Sequence, residues 1–387
     1  MSLEMAVKET PMNELPIMAP NEGIVLFYPN IPKNAATAVA EVLNTRWIGQ
    51  GPKVEEFERQ FEEKFSNPCK ALAVGSGTDA LHLAYILAGL EEGDEVIAPV
   101  FTCTATNIPF LYMGVKIVFA DVDDNLNINV EHVRSLITSK TKAIVCVHYG
   151  GLPCDMQELW DLGKEHDIKI IEDAAHALGA TYKGQIISSQ SDFTMFSFQA
   201  IKHLTTGDGG MLVIKDPELV EKGKRIRWFG IDRSSKQKGI WENDITEIGY
   251  KYQMTDIAAS IGLAGISEFD DHLAHRQNIY KLYVKCLEGV EGIRVIGKEY
   301  HDREHAAWLL TAEVDRREDL MLHLRKNGIE SGQVHYRNDR YTIFGGREVG
   351  KFPKMDYIEE RYIVLPLHAK VTEEHVRYIA DIIKKGW

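Results

Sequence analysis

The chain has 387 residues, which suits roughly two to three domains, and its 44% hydrophobic content is ordinary for a globular protein. Its net charge of −13 argues against nucleic acid as a partner, because the phosphate backbone selects basic surfaces. No apolar run reaches membrane-spanning length, and the five scattered cysteines form no Cys-x-x-Cys pair. We therefore expect a cytoplasmic protein with no membrane partner, no disulfide framework and no metal site.

Short β-branched runs alternate with longer amphipathic stretches from about residue 70, after an irregular lead-in over residues 1–22. This alternation predicts an α/β fold, in which helices cover a mostly parallel sheet. The clearest helical patterns are Thr78–Leu90, Asp155–His166 and Asp256–Glu288. The predicted strands are Ala71–Gly75, Glu95–Pro99, Lys116–Asp121, Ala143–Val147, Lys169–Asp173, Asp192–Phe198 and Met211–Ile214, with only a short turn between the last two.

The long helical pattern leads into a region that is rich in charge and shorter strands. We place a domain boundary near residue 265. The prediction is a large domain over residues 23–265 and a smaller C-terminal α+β domain over residues 266–387.

The junction between the first strand and its helix carries Gly77 and Thr78. Backbone N–H groups at a helix N-terminus bind phosphate without needing a charged side chain. Ser76 or Thr78 acting as an ordinary N-cap explains the same residues equally well. Alone, this loop matches neither a P-loop nor a dinucleotide fingerprint.

Carboxylates end the apolar run that starts at Ile168, namely Glu172 and Asp173, and His176 follows three residues later. A pyridoxal enzyme keeps the aspartate that pairs with the ring nitrogen in such a position. A strand-end carboxylate that caps the next turn is a common alternative. Glu172 either supports the site from behind or faces solvent.

One lysine, Lys202, lies between an apolar strand and the glycine-rich turn before Gly210. Burial disfavours the charged form of an amine, and a neutral amine is what Schiff-base chemistry requires. A simple surface lysine in a hairpin remains the alternative from the local pattern alone.

Taken together, these segments resemble the DegT/DnrJ/EryC1/StrS family of nucleotide-sugar aminotransferases over nearly the whole chain. The resemblance implies the aspartate aminotransferase fold (pyridoxal phosphate fold type I) and pyridoxal 5'-phosphate as cofactor. It also implies a nucleotide-linked keto deoxysugar as substrate, L-glutamate as amino donor, and a homodimer with shared active sites. Besides Ser197–Gly210, the matching motifs in chain order are Arg46–Glu58, Gly75–Leu81, Val147–Gly151, Gly249–Asp256 and Leu365–His368.

The resemblance assigns catalytic roles to three residues. Lys202 would form the Schiff base with the cofactor and move the proton during transamination, Asp173 would pair with the ring nitrogen, and His176 would lie near the phenolic oxygen. The cofactor phosphate would be bound by Gly77 and Thr78, with the Ser197 hydroxyl as a further contact.

Two cofactor positions depart from the family pattern. Cys103 stands where an aromatic residue usually stacks on the pyridoxal ring, so either the thiol, with the neighbouring Thr104, covers the ring less completely or Phe101 substitutes. Lys251 replaces an asparagine that reaches the phosphate in the neighbouring subunit, and a lysine binds phosphate with charge.

Substrate specificity is expected to depend on Trp47, on Arg233 in the loop Arg227–Lys238 of the basic segment Lys222–Lys238, and on a C-terminal motif in the stretch His335–Arg340. An acidic protein with one basic segment near its site can attract a diphosphate, although most charge runs are only solvated faces. The residues of the C-terminal motif are His335, Tyr336 and Arg337.

Two other functions fit the motifs less well. Related sugar dehydratases replace the Schiff-base lysine by histidine, whereas Lys202 is present here and His203 only follows it. A non-catalytic sensor of cofactor or sugar nucleotide would not need the intact lysine, aspartate and phosphate loop. Transamination is therefore the predicted function.

Overall fold

The structure, a computed structural model, describes residues 16–242, 244–298 and 300–387, so the predicted lead-in falls outside it up to residue 15. A mixed, mostly parallel sheet of seven strands forms its centre. The strands are β1 (Lys70–Val74), β2 (Glu95–Pro99), β4 (Lys116–Ala120), β5 (Thr141–Val147), β6 (Lys169–Asp173), β9 (Phe193–Ser197) and β10 (Gly210–Ile214). Their order in the sheet is β1-β10-β9-β6-β5-β2-β4; β10 runs antiparallel to both of its neighbours, and the other pairs are parallel.

All seven strands lie where the sequence predicts them, to within two residues. The connection between β9 and β10 is longer than the expected short turn, because residues 198–209 form it. An antiparallel pair needs no crossover helix, which is why the helix–strand alternation stops here.

Alternation within the strands separates two apolar layers. In β1, Ala71 and Ala73 pack into the core on one face of the sheet, and Leu72 and Val74 pack into the core on the other face. Helices cover both layers, as expected for a parallel sheet that is buried on both sides. The helices of this part of the chain are α1 (Ala35–Leu43), α2 (Pro52–Phe61, continued by a π-turn over Glu62–Ser66), α3 (Gly77–Leu87), α4 (Thr104–Tyr112), α5 (Val130–Leu136), α6 (Met156–His166), α7 (Leu219–Ile226) and α8 (Arg233–Gln237), of which α2 to α7 contribute residues to the two layers.

A second, smaller sheet lies in the C-terminal third of the chain, with the order β11-β13-β15 and antiparallel pairing. Its strands are β11 (Ile293–Val295), β13 (Leu310–Val314) and β15 (Tyr362–Leu365), and its helices are α10 (Arg317–Lys326), α11 (Pro353–Ile358) and α12 (Glu373–Lys384). The long helix α9 (Asp256–Leu287) joins the two parts, because Ala259 packs into the core of the large sheet and Tyr283 into that of the small one. This helix runs through residue 265, and the division of the chain there stays a prediction.

Two short pairings tie distant segments together. The strands β7 (Thr181–Tyr182), β8 (Gln185–Ile186) and β12 (Arg303–Glu304) form one small sheet. The strands β3 (Phe101–Thr102) and β14 (Tyr336–Arg337) form another. The second pairing brings the C-terminal motif beside the chain that leaves β2. Across the described residues, no helix is both long and apolar enough to cross a membrane.

Candidate active site

The candidate site lies at the carboxyl ends of the parallel strands, where open α/β sheets bind their ligands. β6 ends at Asp173, and β9 ends at Ser197. β10 is antiparallel to β1 as well as to β9, so the end of β1 and the start of α3 lie at the same edge. The sheet thus brings together three segments that the sequence singles out separately.

Lys202 lies in the connection between β9 and β10, with its backbone N–H donating to the Gln199 carbonyl at 2.9 Å. Burial lowers the pKa of its amine to about 8, against an opposing effect of the Asp173 and Cys103 charges nearby. A neutral amine is therefore accessible close to neutral pH, as a nucleophilic lysine requires.

Asp173 is buried, with 4% of its surface exposed. One carboxylate oxygen accepts from the Thr106 hydroxyl at 2.7 Å, and the other accepts from the Ala175 backbone N–H at 3.1 Å. Burial raises the pKa of Asp173, while these hydrogen bonds and the charge of Lys202 oppose the rise. Thr106, in the first turn of α4, was not among the predicted residues, and its hydroxyl also meets that of Thr102 at 2.9 Å.

The N-terminus of α3 forms a narrow cradle beside Ser197. Ser76 is the N-cap, and its hydroxyl accepts from the Asp79 N–H at 3.0 Å, so the capping alternative is correct for Ser76. Gly77 has no side chain, and a Cβ added there would lie 3.1 Å from the Cβ and 3.3 Å from the Oγ of Ser197. Gly77, Thr78 and Ser197 are therefore adjacent and only partly buried, as a phosphate-binding loop requires.

An aromatic stack surrounds His176. Its imidazole lies 3.8 Å from the Trp308 ring and 12° from parallel, and 5.2 Å and 7° from the His335 ring. The Nε2 atoms of the two histidines are 3.3 Å apart. The Lys202 Nζ lies 3.8 Å from the centre of the Trp308 ring. Trp308 was not predicted, because it sits in an apolar run that reads as ordinary core.

Burial governs the charge of both histidines. It lowers the pKa of His176 well below its usual value, and it lowers the pKa of His335 to about 3, with the charge of Lys202 acting in the same direction. The Nδ1 atom of His176 is buried and has no hydrogen-bond partner among the described residues. Both rings are thus neutral, and one buried polar atom remains available for a ligand.

Cys103 and Phe101, the two residues expected to cover the cofactor ring, are placed differently. Cys103 is half-buried at the start of α4 and close enough to Lys202 to affect its charge. Phe101 is 1% exposed, and its ring packs 5.0 Å from Tyr149 and 5.1 Å from Tyr362. Because the phenyl ring is part of the core, only Cys103 of the two is available at the site.

Glu172 is fully buried and does not face solvent, which removes one of its two predicted roles. Its carboxylate lies 2.8 Å from the His148 Nε2, and the His148 Nδ1 accepts from the Cys154 N–H at 3.1 Å. Because a backbone N–H can only donate, the Nδ1 carries no proton, so the imidazole is neutral and its Nε2–H donates to the carboxylate. The result is a buried, charge-assisted hydrogen bond directly behind Asp173.

Arg233 lines a separate cavity of about 320 Å³ together with Gln50 and Gly51, and Trp47 lies beside Gly51. The Arg233 guanidinium donates to the Gln50 side chain at 3.0 Å, and a Cβ on Gly51 would lie 3.1 Å from the Trp47 side chain. Much of the basic segment is neutralised by carboxylates nearby. The pairs are Lys224–Glu221, Arg225–Glu247 and Arg227–Glu58.

The C-terminal motif divides between the site and the core. His335 joins the aromatic stack, whereas Tyr336 lies half-buried against Arg340, whose guanidinium is 4.7 Å from its ring. Arg337 is fully buried. Its guanidinium bonds Asp339 at 2.6 and 2.7 Å, contacts Asp356, and lies 3.4 Å from Glu359. Direct substrate binding by Arg337, as predicted from the sequence, is therefore incompatible with this arrangement, because no donor of Arg337 faces the site.

Lys251 is exposed and lies on the surface of its own subunit. Its backbone forms a bridge with Trp228, and its Nζ is 5.4 Å from the Phe229 ring. Two residues later, Gln253 pairs with Val74, and the Tyr252 carbonyl accepts from the Gly75 N–H at 2.7 Å. The segment is thus anchored beside the phosphate cradle, with the Lys251 side chain exposed.

Comparisons with known proteins identify the family and the fold of this chain. The model of the DegT/DnrJ/EryC1/StrS aminotransferase family matches residues 29–384. The GDP-perosamine synthase of Escherichia coli O157:H7 is 34% identical, and the UDP-4-amino-4-deoxy-L-arabinose–oxoglutarate aminotransferase of Shewanella sediminis is 32% identical; each alignment covers 94% of this chain and 98% of the relative. The Streptococcus pneumoniae protein Spr1654, solved in PLP and PMP forms, aligns in its PLP form with a TM-score of 0.87, 32% identity, and coverage of 94% and 98% of the two chains.

The chain belongs to the DegT/DnrJ/EryC1/StrS aminotransferase family. It is a pyridoxal phosphate-dependent sugar aminotransferase with the aspartate aminotransferase fold. The predictions of family, fold class, enzyme class and cofactor are thereby confirmed.

The residues at the strand ends fit pyridoxal phosphate. Lys202 provides an amine with a lowered pKa, and Asp173 provides a buried carboxylate. Gly77 has no side chain, so it leaves space beside Ser197 that a Cβ would otherwise occupy and that a phosphate can use. The unpartnered Nδ1 of His176 is a further polar atom that a ligand would satisfy.

Proposed function

We propose that this sugar aminotransferase moves the amino group of L-glutamate to the keto carbon of a nucleotide-linked deoxysugar. Glutamate would become 2-oxoglutarate and the sugar ketone would become an amine, so the two half-reactions balance without an external oxidant or reductant. The observation that carries the proposal is the meeting of Lys202 and Asp173 at the sheet edge beside the phosphate cradle.

Lys202 would transfer the proton between the reacting carbon and the cofactor. Its pKa of about 8 allows the amine to accept and return a proton near neutral pH, which is the condition for an efficient acid–base residue. Pyridoxal phosphate, when bound, supplies an aldehyde that links to amines and a ring that accepts the electron pair of the deprotonated carbon. Asp173 would keep the ring nitrogen protonated by its buried negative charge.

The remaining cofactor contacts follow from position. Gly77, Thr78 and Ser197 would hold the phosphate, with the N–H groups of α3 as donors. His176 would contact the phenolic oxygen, and Cys103 would lie against the ring.

The substrate would enter between the stack and the cavity beside Trp47 and Arg233. His335 would line the sugar side, and Arg233 would meet the diphosphate, for which a guanidinium is well suited. The names of two relatives support a nucleotide-linked sugar, because one is a GDP-perosamine synthase and the other acts on a UDP-linked amino sugar with oxoglutarate. The second name also supports glutamate as donor, since oxoglutarate is its keto product.

A homodimer with shared sites would explain an exposed apolar surface near the cradle. Trp241 and Ile248 are 76% and 80% exposed, and Phe229 and Ile245 are also exposed. A second copy that covers this surface would bury them and would bring Lys251 to the partner's phosphate. A cytoplasmic location stays a prediction from cysteine usage.

The experiment is an amination assay with ¹⁵N-glutamate and a panel of 3-keto and 4-keto deoxysugars that are linked to uridine, thymidine or guanosine diphosphate. The expected result is ¹⁵N in one sugar nucleotide together with an equal amount of 2-oxoglutarate. Free keto sugars serve as the control. Equal turnover of free and nucleotide-linked sugars would contradict the nucleotide requirement, and ¹⁵N transfer only from another amino acid would contradict the donor.

A further inference from the structure

Two of the residues proposed for the site pack against the indole of Trp308. The His176 ring lies 3.8 Å from it, and so does the Lys202 Nζ. Trp308 precedes β13 of the small sheet, whereas His176 and Lys202 follow strands of the large sheet. This indole is therefore a platform at which the two sheets meet in the site.

Every backbone polar group from Ala306 to Trp308 is hydrogen-bonded. On one side, the Ala306 N–H donates to the Gly151 carbonyl and the Trp308 N–H to the Gly150 carbonyl, both at 2.9 Å. The Ala307 N–H donates to a histidine ring nitrogen, that of His305, at 2.7 Å. Ala307 has a φ of 56°, a conformation that costs energy for a residue with a side chain. Such a backbone persists only where its surroundings hold it.

On the other side, the Ala306 carbonyl accepts from the His203 Nε2 at 2.7 Å, and the carbonyls of Ala307 and Trp308 accept from Arg276 of α9. Its Nε donates to the Ala307 carbonyl at 2.9 Å, and its Nη2 donates to the carbonyls of Trp308 and Leu367 at 2.7 and 2.8 Å. The Arg276 side chain is 3% exposed and has no carboxylate partner among the described residues. Burial lowers its pKa to about 9. Burying a cation that bonds only carbonyls costs folding free energy, so a neutral hydrogen-bond donor would hold the segment at a lower cost if the role were purely structural.

We propose that Arg276 is a positioning residue for the reaction, because it fixes the Ala307–Trp308 backbone and so holds the indole against Lys202 and His176. The inference rests on the proposed role of Lys202. Arg276 touches neither the reacting amine nor the cradle, and it acts through Trp308. The Trp308 Nε1 completes the arrangement by donating to the Ile201 carbonyl at 3.1 Å, one residue before Lys202.

The protonation of Lys202 reports on this platform. Water that enters around a loosened indole would favour the charged amine and raise its pKa, and loss of the Arg276 charge would act in the same direction. The groups that affect the Lys202 charge from the packed elements are Asp173, Cys103, Arg276, His176, His203 and His335.

The test compares Arg276→Gln and Arg276→Lys with a matched control on the same helix, Tyr283→Phe. Tyr283 donates to the Pro366 carbonyl at 3.0 Å, one residue from Leu367, so its removal costs a buried hydrogen bond without touching the platform. The cofactor-free full chain is labelled with a small amine-directed reagent across pH, and the peptide that contains Lys202 is quantified by mass spectrometry. Holoenzyme kinetics with the identified substrates give kcat and KM.

The wild-type and Tyr283→Phe proteins should show the same labelling midpoint. Arg276→Lys keeps the charge but cannot reach three carbonyls, so its midpoint should rise by on the order of one pH unit, and Arg276→Gln should rise further. In Arg276→Lys, kcat should fall about tenfold with KM for the sugar nearly unchanged. A shift in Arg276→Gln without one in Arg276→Lys would assign the effect to charge alone and overturn positioning, as would midpoints equal to the control.

If neither Arg276 variant folds, Trp308→Phe gives a second test. It keeps an aromatic face but loses the bond to the Ile201 carbonyl. At a pH above both midpoints, where only access matters, Lys202 should be labelled several-fold faster than in wild type, and an unchanged rate would overturn the platform. Labelling requires neither the sugar nor glutamate, so a failure of the proposed substrates would leave this test intact.

Discussion

Two buried charged residues, Asp173 and Arg337, have different hydrogen-bond partners. Asp173 has a hydroxyl and a backbone N–H as partners, and no cation bonds to its carboxylate among the described residues. Arg337, the last residue of the C-terminal motif, bonds two carboxylates and lies close to a third. Both residues are at most 4% exposed, so burial alone does not distinguish them.

The difference lies in how completely each charge is neutralised. A buried carboxylate with only neutral partners favours a nearby cation, such as a protonated ring nitrogen. A guanidinium that carboxylates already surround has nothing left to offer a substrate, and removing one partner leaves the others unpaired. An unbalanced buried charge therefore marks chemistry here, and a balanced one marks structure.

The largest effect is expected for Lys202→Ala. This substitution removes the reacting amine, which lies near the buried, unpaired carboxylate of Asp173. The variant should lose all measurable turnover and the yellow colour of the bound cofactor while keeping the fold. Absorbance spectra and ¹⁵N transfer provide the measurement. Lys215→Ala, at the exposed far end of the same hairpin, is the matched control and should behave as wild type. Glutamate-dependent amination near the wild-type rate in Lys202→Ala would refute the assignment.

Asp173→Asn should leave the cofactor bound but lower kcat on the order of 100-fold, because a neutral amide cannot keep the ring nitrogen protonated. Its neighbour on the same strand provides a contrast. Glu172→Gln breaks the buried pair with His148 and should lower thermal stability with a much smaller effect on kcat. Steady-state kinetics and thermal melts of both variants check this. Equal effects of the two substitutions on kcat would erase the distinction.

A smaller effect is expected for Lys251→Ala, an exposed lysine that the proposed dimer would place at the partner's phosphate. Cofactor retention should weaken about tenfold, as for one lost charge-assisted hydrogen bond, and apparent thermal stability should fall with it. Equilibrium dialysis of the cofactor measures the loss.

Subunit exchange sharpens this prediction. A mixed dimer of Lys251→Ala and Lys202→Ala subunits would hold one site with both lesions and one with neither, if Lys251 acts across the interface. Partial activity should then return. No recovery after demonstrated exchange would place Lys251 in its own subunit's site or outside any site.

The smallest effect on activity is expected for Arg337→Met. The change leaves buried carboxylates unpaired and should reduce the free energy of unfolding by about 3–5 kcal/mol. At a temperature where the variant stays folded, KM for the sugar should be unchanged, because no donor of Arg337 faces the site. Chemical denaturation and kinetics test both parts. A raised KM without loss of stability would indicate that Arg337 binds the substrate directly.

The sequence predicted the strands well because their apolar runs are local signals. The runs that end at Asp173 and Ser197 need no knowledge of distant partners, and their shared edge follows from parallel pairing. The longer connection over residues 198–209 was missed, because glycine-rich stretches indicate a turn but not its length.

Site residues whose role depends on distant partners were harder to predict. Trp308 looks like core until His176 and Lys202 lie against it, more than 100 residues away in the chain. Arg337 looks like a ligand until Asp356 and Glu359 are found beside it. In both cases the local sequence shows the chemistry of the side chain, and only the fold shows which partners it contacts.

A half-reaction without any sugar tests most directly whether Lys202 and Asp173 form the reacting centre. Purified holoenzyme is mixed with L-glutamate alone, and the absorbance of the bound cofactor and the release of 2-oxoglutarate are followed together. The yellow colour should be lost with release of about one 2-oxoglutarate per subunit, at least 100-fold slower in Asp173→Asn and not at all in Lys202→Ala. Release of 2-oxoglutarate from Lys202→Ala at the wild-type rate, or none from the wild-type protein with any amino acid, would contradict this assignment.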